Sequence, residues 1–191
     1  MKDMLRLDGK VAIVTGGAAR GIGHGIVLRL AEAGASVLIV ADIKMDQTMK
    51  DELLTIPQKV GGGKVELFEV DMANDDCGNA IIQSTIRTFG RVDILVNNAG
   101  IYPFQNAIDM PIEVWDKVQN INLRGPFLMS QAFAKYFRDR KDNNSKDGGV
   151  IVNIGSICSL HPGAPRARRR TTLPRVDCSC LPGILRWRSP L

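Results

Sequence analysis

KVAIVTGGAARGIG, residues 10–23, is an apolar run that passes directly into a glycine-rich turn. An amphipathic stretch continues to residue 35, so the pattern predicts a buried strand followed by a helix over 21–35. Glycines at Gly17, Gly21 and Gly23 let the backbone turn sharply and come close to a phosphate. The first N–H groups of such a helix have no hydrogen-bond partner within the helix and can bind an anion. The sequence therefore predicts a dinucleotide pyrophosphate site at this turn.

Apolar and amphipathic stretches alternate along the rest of the chain as far as residue 156. The predicted strands cover 10–16, 36–42, 64–71, 93–100 and 150–156, and the predicted helices 21–35, 46–55, 74–89 and 111–138. Strands that are apolar without alternation are typical of a parallel sheet covered on both faces. The predicted fold is therefore α/β, a Rossmann-type doubly wound parallel sheet that is truncated after the fifth strand.

The composition changes near Arg166. From His161 onward the chain has seven Arg, no Lys and one acid, whereas the first 160 residues have 18 Lys and Arg against 19 Asp and Glu. The net charge of +5 for the whole chain therefore comes from the tail. We expect a dinucleotide-binding domain over residues 1–165 and a basic, disordered tail over 166–191.

The composition also bears on partners and compartment. Four cysteines lack the spacing of a zinc site or a disulfide framework, so no metal is expected. The sequence shows no secretory signal and no apolar run of membrane-spanning length, which predicts a cytoplasmic protein without a membrane partner. The Arg run is short and has only Trp187 for base stacking, which argues against nucleic acid.

Asp42 ends the second predicted strand, 19 residues after Gly23. A carboxylate there can accept hydrogen bonds from both hydroxyls of an adenosine ribose, and it repels a 2′-phosphate. The alternative is a solvated strand end. Arg20, inside the glycine turn, acts in the opposite sense because a cation attracts that phosphate. The sequence therefore favours NAD and leaves NADP open.

Several further motifs make the chain resemble the short-chain dehydrogenase/reductase family over residues 8–160. They are the glycine turn, Asp71-Met72 after the third strand, Asn97-Asn98-Ala99-Gly100, Asn122 in NLRG and Ser156 in VNIGS. The turn departs slightly from the family pattern, since it has four residues between Thr-Gly and Gly-x-Gly where the family usually has three.

The resemblance implies an NAD(P)-dependent oxidoreductase that interconverts an alcohol and a carbonyl on a small molecule, usually as a homo-oligomer. The cofactor residues are then Gly17, Arg20, Gly21, Ile22, Gly23, Asp42, Asp71, Met72, Asn98, Ala99 and Gly100. Ser156 would hold the substrate oxygen, and Asn122, at a break in the long helix, would position a proton-relay water. The alternatives are a strand-end turn for Ser156 and a buried amide bonded to helix backbone for Asn122.

The family's chemistry also needs a Tyr and, one helical turn later, a Lys, both beyond Ser156. A phenol has a pKa near 10, and a neighbouring ammonium lowers it. The only tyrosines here are Tyr102 and Tyr136, both upstream, and no Lys follows Lys146. Tyr136 with Arg140 imitates the spacing, but it lies in the predicted long helix, where a packing or surface role is expected. We therefore predict a catalytically impaired chain.

The tail is compatible with a shifted reading frame. When each codon is re-read from its third base, starting at the junction of Thr171 and Thr172, the code permits Tyr-Ala-Ala-Ser-Arg-Gly-Leu-Leu-Val-Leu-Thr-Arg. That peptide resembles the family's segment after the catalytic Ser, although the junction of Arg175 and Val176 permits Arg and not Lys. We hypothesise that the chain leaves the family's frame between Ser156 and Thr171, which transcript sequence across these codons would test.

Such a break would remove the family's interface helix and its later strands. The fifth strand would then be an uncovered edge. Two other functions stay open beside the oxidoreductase: a catalytically deficient dinucleotide-binding fragment, and an interaction protein that uses its basic tail.

Overall fold

The computed structural model describes residues 6–60, 63–103, 107–140, 148–155 and 183–187. The strands are β1 Val11–Thr15, β2 Val37–Asp42, β3 Lys64–Glu69, β4 Ile94–Asn97, β5 Gly149–Asn153 and β6 Gly183–Trp187. The α-helices are α1 Ile22–Glu32, α2 Gln47–Leu54, α3 Ile56–Val60, α4 Cys77–Phe89, α5 Ile112–Gln119 and α6 Gly125–Asp139. A 3₁₀ turn, Ala107–Asp109, precedes α5, and a π-helical segment, Asn120–Arg124, joins α5 to α6.

Five of the strands form a parallel sheet in the order β3-β2-β1-β4-β5. Val14 of β1 pairs with Val40 on one side and with Val96 on the other, so β1 lies between the two halves of the sheet. The chain reverses its direction of travel across the sheet between β1 and β4, which is where ligands bind in doubly wound sheets. The Rossmann-type fold and the end of the parallel series at the fifth strand are confirmed.

Helices cover both faces of the sheet, which explains why the strands lack alternation. Ile13 points to a core shared with α4 and α6, where Phe133 is fully buried. Ala12 and Val14 point to the opposite core, shared with α1, α2 and α3. Each residue of the central strand β1 is therefore buried whichever way it points, and its one polar residue, Thr15, ends the strand.

The predicted helix over 111–138 is divided by the π-helical segment that contains Asn122. The predicted break is therefore confirmed. Directly after it, α6 begins at Gly125, where a Cβ would lie 2.7 Å from the Met72 carbonyl oxygen. The missing side chain lets the start of α6 approach the turn that follows β3.

Some predicted boundaries differ from those observed. The short helix α3 has no predicted counterpart, and β4 ends at Asn97, three residues before the predicted end. The reason for the second difference is that the Asn98 backbone N–H donates to a side chain, the Thr15 hydroxyl 3.1 Å away, and not to a backbone carbonyl of a neighbouring strand.

The expectation of an uncovered β5 edge is wrong. β6, from the tail, pairs antiparallel with β5, with Gly183 opposite Asn153 and Trp187 opposite Gly149. The free edge of an apolar strand is a template for any further strand, and GILRW supplies residues of suitable β-propensity. The remaining residues of the predicted disordered tail, 166–182 and 188–191, lie outside the described residues.

This pairing predicts that removing β6 destabilises the domain. A chain ending at residue 182 should have a lower free energy of unfolding, by about 0.5–1.5 kcal/mol for each net hydrogen bond lost, and should aggregate more readily through β5. Chemical denaturation and light scattering measure the two effects. A chain ending at residue 187 keeps β6 and is the matched control; equal behaviour of the two truncations would contradict the edge-covering role.

Candidate functional site

The carboxyl ends of β1, β2 and β4 bring most of the predicted residues together. The glycine turn follows β1, Asp42 ends β2, and Asn98 begins the loop after β4. Asp42 contacts the turn at Ala18, and Asn98 contacts it at Gly16. Residues distant in sequence therefore form one continuous surface at this edge of the sheet.

Two glycines of the turn are required by close backbone contacts. Gly16 has φ +66°, and a Cβ there would lie 2.7 Å from the Ala99 Cα. A Cβ on Gly23 would lie 2.2 Å from the Gly16 carbonyl oxygen and 2.4 Å from the Asn98 side-chain nitrogen. The turn, the start of α1 and the loop after β4 can pack this closely only because both side chains are missing. Gly16 was not among the predicted site residues, since a positive φ cannot be read from a residue type.

The start of α1 has the properties of an anion site. Gly21 has no side chain to cap the helix, and the first turn of α1 contains no acidic residue. Among the described residues, a Cβ on Gly21 would meet only the Ala19 carbonyl oxygen, at 4.0 Å. The turn residues Arg20, Gly21 and Ile22 are exposed. Free amides at a helix start carry partial positive charge, so the residues present fit a pyrophosphate.

Gly17 has a packing role in the same turn. A Cβ there would lie 3.1 Å from side-chain atoms of Val27 and Val40, which belong to α1 and β2. The absence of that Cβ brings α1 close to the sheet and fixes where its first amides lie.

The Asp42 carboxylate is tied to the glycine turn. One of its oxygens accepts a hydrogen bond from the Ala18 N–H at 3.0 Å, and the other accepts from the Ile43 N–H at 2.8 Å. The side chain is half-buried and held by two backbone groups, so it is not a fully solvated strand end. A carboxylate has about four lone-pair sites, which leaves capacity for ribose hydroxyls.

Two ion pairs lie beyond Asp42. The Arg20 guanidinium contacts the Glu52 carboxylate of α2, with 3.3 Å between Nη2 and Oε1. The Lys50 ammonium lies 2.7 Å from the Glu69 carboxylate at the end of β3, and this hydrogen bond lowers the pKa of Glu69 below its usual range. Arg20 of the glycine turn and Lys50 of α2 are therefore each paired with an acid.

Thr15 and Asn98 hold the turn and the β4 loop together. The Thr15 hydroxyl accepts hydrogen bonds from the backbone N–H groups of Asn98 and Ala99, both at 3.1 Å. The Asn98 amide donates to the carbonyl oxygens of Thr15 and Gly16, at 3.0 and 2.9 Å. The side chain of Asn98, which was predicted as a cofactor residue, therefore braces the turn. Thr15 was not predicted; its one signal is a polar residue at the end of an apolar strand.

Asn97, one residue earlier, joins three elements. Its buried side-chain amide donates to the Asn153 side-chain oxygen at 2.8 Å and to the Ser130 hydroxyl at 3.1 Å. It thereby connects the ends of β4 and β5 to α6. Ser156 follows β5, but it lies outside the described residues, so its predicted contact with the substrate stays a prediction.

Asn122 is 2% exposed and clamps the loop after β4. Its side-chain oxygen accepts from the Ile101 N–H at 2.8 Å, and its side-chain nitrogen donates to the Ile101 carbonyl at 2.9 Å. The π-helical segment therefore fixes the residues that follow Gly100. The proton-relay role of Asn122 stays a prediction.

The remaining predicted residues have mixed surroundings. Asp71 is exposed, and its carboxylate accepts from the Ala73 N–H at 2.8 Å. Met72 is 5% exposed with its side chain in the core, so only its backbone can face a ligand. Tyr136 packs edge-on against Phe137, with ring centroids 5.0 Å apart, which confirms its predicted packing role.

Two absences concern the described residues alone. No group of three or more His, Cys, Asp or Glu side chains is placed to hold a metal ion in that part of the chain. Among the described helices, none has the length and apolar character needed to cross a membrane. Together, the sheet order and the glycine turn define a protein of the Rossmann fold class.

Comparison with known proteins identifies the family. Residues 10–167 match the short chain dehydrogenase family. The chain is 36% identical over 160 residues to 3beta-hydroxysteroid dehydrogenase 2 of Eggerthella lenta, covering 82% of this chain and 57% of that protein. It is also 36% identical over 169 residues to L-rhamnose 1-dehydrogenase (NADP(+)) of Thermoplasma acidophilum, covering 88% and 63%. The chain belongs to the short-chain dehydrogenase/reductase family.

Solved structures agree with this assignment. A short chain dehydrogenase from Mycobacterium smegmatis has a TM-score of 0.70 at 33% identity, over 81% of this chain and 60% of that one. A short-chain type dehydrogenase/reductase from Mycobacterium marinum has a TM-score of 0.72 at 33% identity, over 83% and 60%. The chain therefore spans less than two thirds of the length of these relatives.

The close contact at Gly23 predicts different effects for two glycines of α1. Gly23→Ala would place a methyl group against the Gly16 backbone, so the domain should lose about 1–3 kcal/mol of unfolding free energy and should bind dinucleotide more weakly. Gly25→Ala is the matched control: a Cβ there meets no described atom within 4 Å, and it should gain about 0.5–1 kcal/mol from helix propensity. Urea unfolding measures both. Equal stability of the two variants would contradict the contact.

Proposed function

We propose that this chain is an NAD(P)-binding protein of short-chain dehydrogenase type whose alcohol–carbonyl oxidoreductase activity is impaired. The observation that carries the proposal is the juxtaposition of an uncapped α1 start with the Asp42 carboxylate, held together by the glycine turn. The first supplies donors for a pyrophosphate, and the second supplies acceptors for a ribose. A small-molecule alcohol or carbonyl is the proposed substrate class.

Each part of the site has a separate proposed task. The amides at the start of α1 bind the pyrophosphate, and Asp42 accepts from the ribose hydroxyls. The backbone of Ala99 and Gly100, fixed by Thr15 and Asn122, lines the rest of the cofactor. The bound nicotinamide supplies the hydride chemistry. The rigid turn would hold the pyrophosphate in one place and so restrict how the cofactor lies in the site.

The impairment follows from the missing general acid. Ser156 is proposed to hold the substrate oxygen, but the chain has no Tyr after Tyr136 and no Lys after Lys146. The proton that must move as the alcohol and carbonyl interconvert would then lack the Tyr–Lys pair that the family resemblance implies. Losing such a group lowers the rate by about 10²- to 10⁴-fold, roughly 3–5 kcal/mol of barrier.

A binding and turnover experiment tests the proposal. We expect the chain to bind NADH in a calorimetric titration and to reduce a panel of ketones and aldehydes about 10²- to 10⁴-fold more slowly than family members that carry the Tyr–Lys pair. Binding with turnover typical of the family would show that the chemistry is not impaired. A chain that fails to bind NADH, while its circular dichroism shows it folded, would contradict the whole proposal.

The proposed cofactor preference is NAD, and it is supported by Asp42. Asp42→Asn keeps an acceptor for the Ala18 N–H but removes the charge. We expect NAD⁺ binding to weaken about 10- to 100-fold, the value of 1.5–3 kcal/mol for hydrogen bonds to a charged group. NADP⁺ binding should weaken less or improve, because the repulsion of its 2′-phosphate is gone.

Asp116→Asn is the control for this measurement. Asp116 is exposed on α5, so the variant makes the same charge change away from the proposed site. It should bind both nucleotides like the parent chain. If Asp42→Asn also behaved like the parent, Asp42 would not contact the ribose.

A further inference from the structure

Arg20 is the one residue of the glycine turn that favours NADP, and the structure shows where its charge is directed. Its side chain is 85% exposed, yet its guanidinium contacts Glu52 on α2, with Nη2 and Oε1 3.3 Å apart. The Glu52 side chain is 32% exposed, so it is the more fixed member of the pair. The cation is therefore directed toward α2.

Glu52 and Asp42 lie on the same side of the site. The Ala18 N–H donates to Asp42, and Arg20 follows two residues later in the same turn. α2 follows β2, at whose end Asp42 lies, so the turn, the strand end and α2 are neighbours. The proposed position of the ribose is thus near two carboxylates and one guanidinium, and that guanidinium is engaged by one of the carboxylates.

We propose that Glu52 is a specificity-determining residue that biases this site toward NAD by holding Arg20 on α2. The inference depends on the proposed dinucleotide function and extends it. A 2′-phosphate needs a cation beside the ribose, and the Glu52 carboxylate offsets the charge of Arg20 as long as this ion pair is formed. Binding of NADP through Arg20 therefore competes with this ion pair, and binding of NAD does not.

A second acid of α2, Asp51, allows the effect of the Arg20 contact to be separated from the effect of the charge of the helix. Asp51 accepts a hydrogen bond from Gln47 at 2.7 Å, within its own helix. Lys50, the cation of this helix, is paired with Glu69. Neutralising Asp51 thus changes the charge of α2 by the same amount as neutralising Glu52, but it leaves the Arg20 contact in place.

The experiment compares nucleotide affinities of Glu52→Gln with those of Asp51→Asn. The dissociation constants of NAD⁺ and NADP⁺ are measured by calorimetry at low salt. We expect Glu52→Gln to shift the affinity ratio toward NADP⁺ by about two- to fivefold, the worth of an exposed ion pair. Asp51→Asn should leave the ratio within about twofold, and the shift should shrink at high salt.

A double variant, Arg20→Gln with Glu52→Gln, completes the test. Its affinity ratio should return to that of the parent or favour NAD⁺ further, because the released cation is gone. If the parent binds NAD⁺ and Glu52→Gln leaves the ratio unchanged, the role of Glu52 is overturned while the proposed function stands. A shift that persists in the double variant, or that equals the Asp51→Asn shift, overturns it too. A parent that binds neither nucleotide removes the proposed function itself.

Discussion

The near contact between the glycine turn and the loop after β4 is the constraint on which the rest of the site depends. A Cβ at Gly23 would lie 2.2 Å from the Gly16 carbonyl oxygen, and a Cβ at Gly16 would lie 2.7 Å from the Ala99 Cα. Since no side chain fits in either place, two backbone segments meet directly, and Thr15 and Asn98 then connect them by hydrogen bonds. This contact sets the position of the first amides of α1 relative to the strand ends.

The same constraint organises the charges. Because the turn lies against the sheet, the Ala18 N–H reaches the Asp42 carboxylate, and the largely exposed Arg20 side chain contacts Glu52 on α2. The uncapped helix start offers partial positive charge, whereas the adjoining strand end offers a carboxylate. An elongated ligand matches this arrangement when its anionic centre lies at the helix start and its hydroxyl groups lie at the carboxylate. Family membership and site electrostatics thus support the same class of ligand.

The tail changes the edge of the sheet. β6 pairs with β5 in the antiparallel direction, where the family resemblance led us to expect an open edge. Its backbone can satisfy the ladder of β5 whatever its origin, because strand pairing depends mainly on backbone groups. A general acid requires particular side chains, and neither Tyr nor Lys occurs in this part of the chain. Many sequences can therefore cover the edge of a sheet, whereas catalysis needs particular residues.

Residue types and their spacing were enough to predict the strands, the parallel doubly wound sheet, the glycine turn and the break at Asn122. Each depends on local hydrophobic periodicity or on a short motif. The roles of Gly16, Thr15 and Glu52 became visible only in the folded chain, because each depends on a partner distant in sequence. Pairing of β6 with β5 is of the same kind. A sequence records which groups are available, and the three-dimensional packing of turn, strand ends and helices fixes which of them meet.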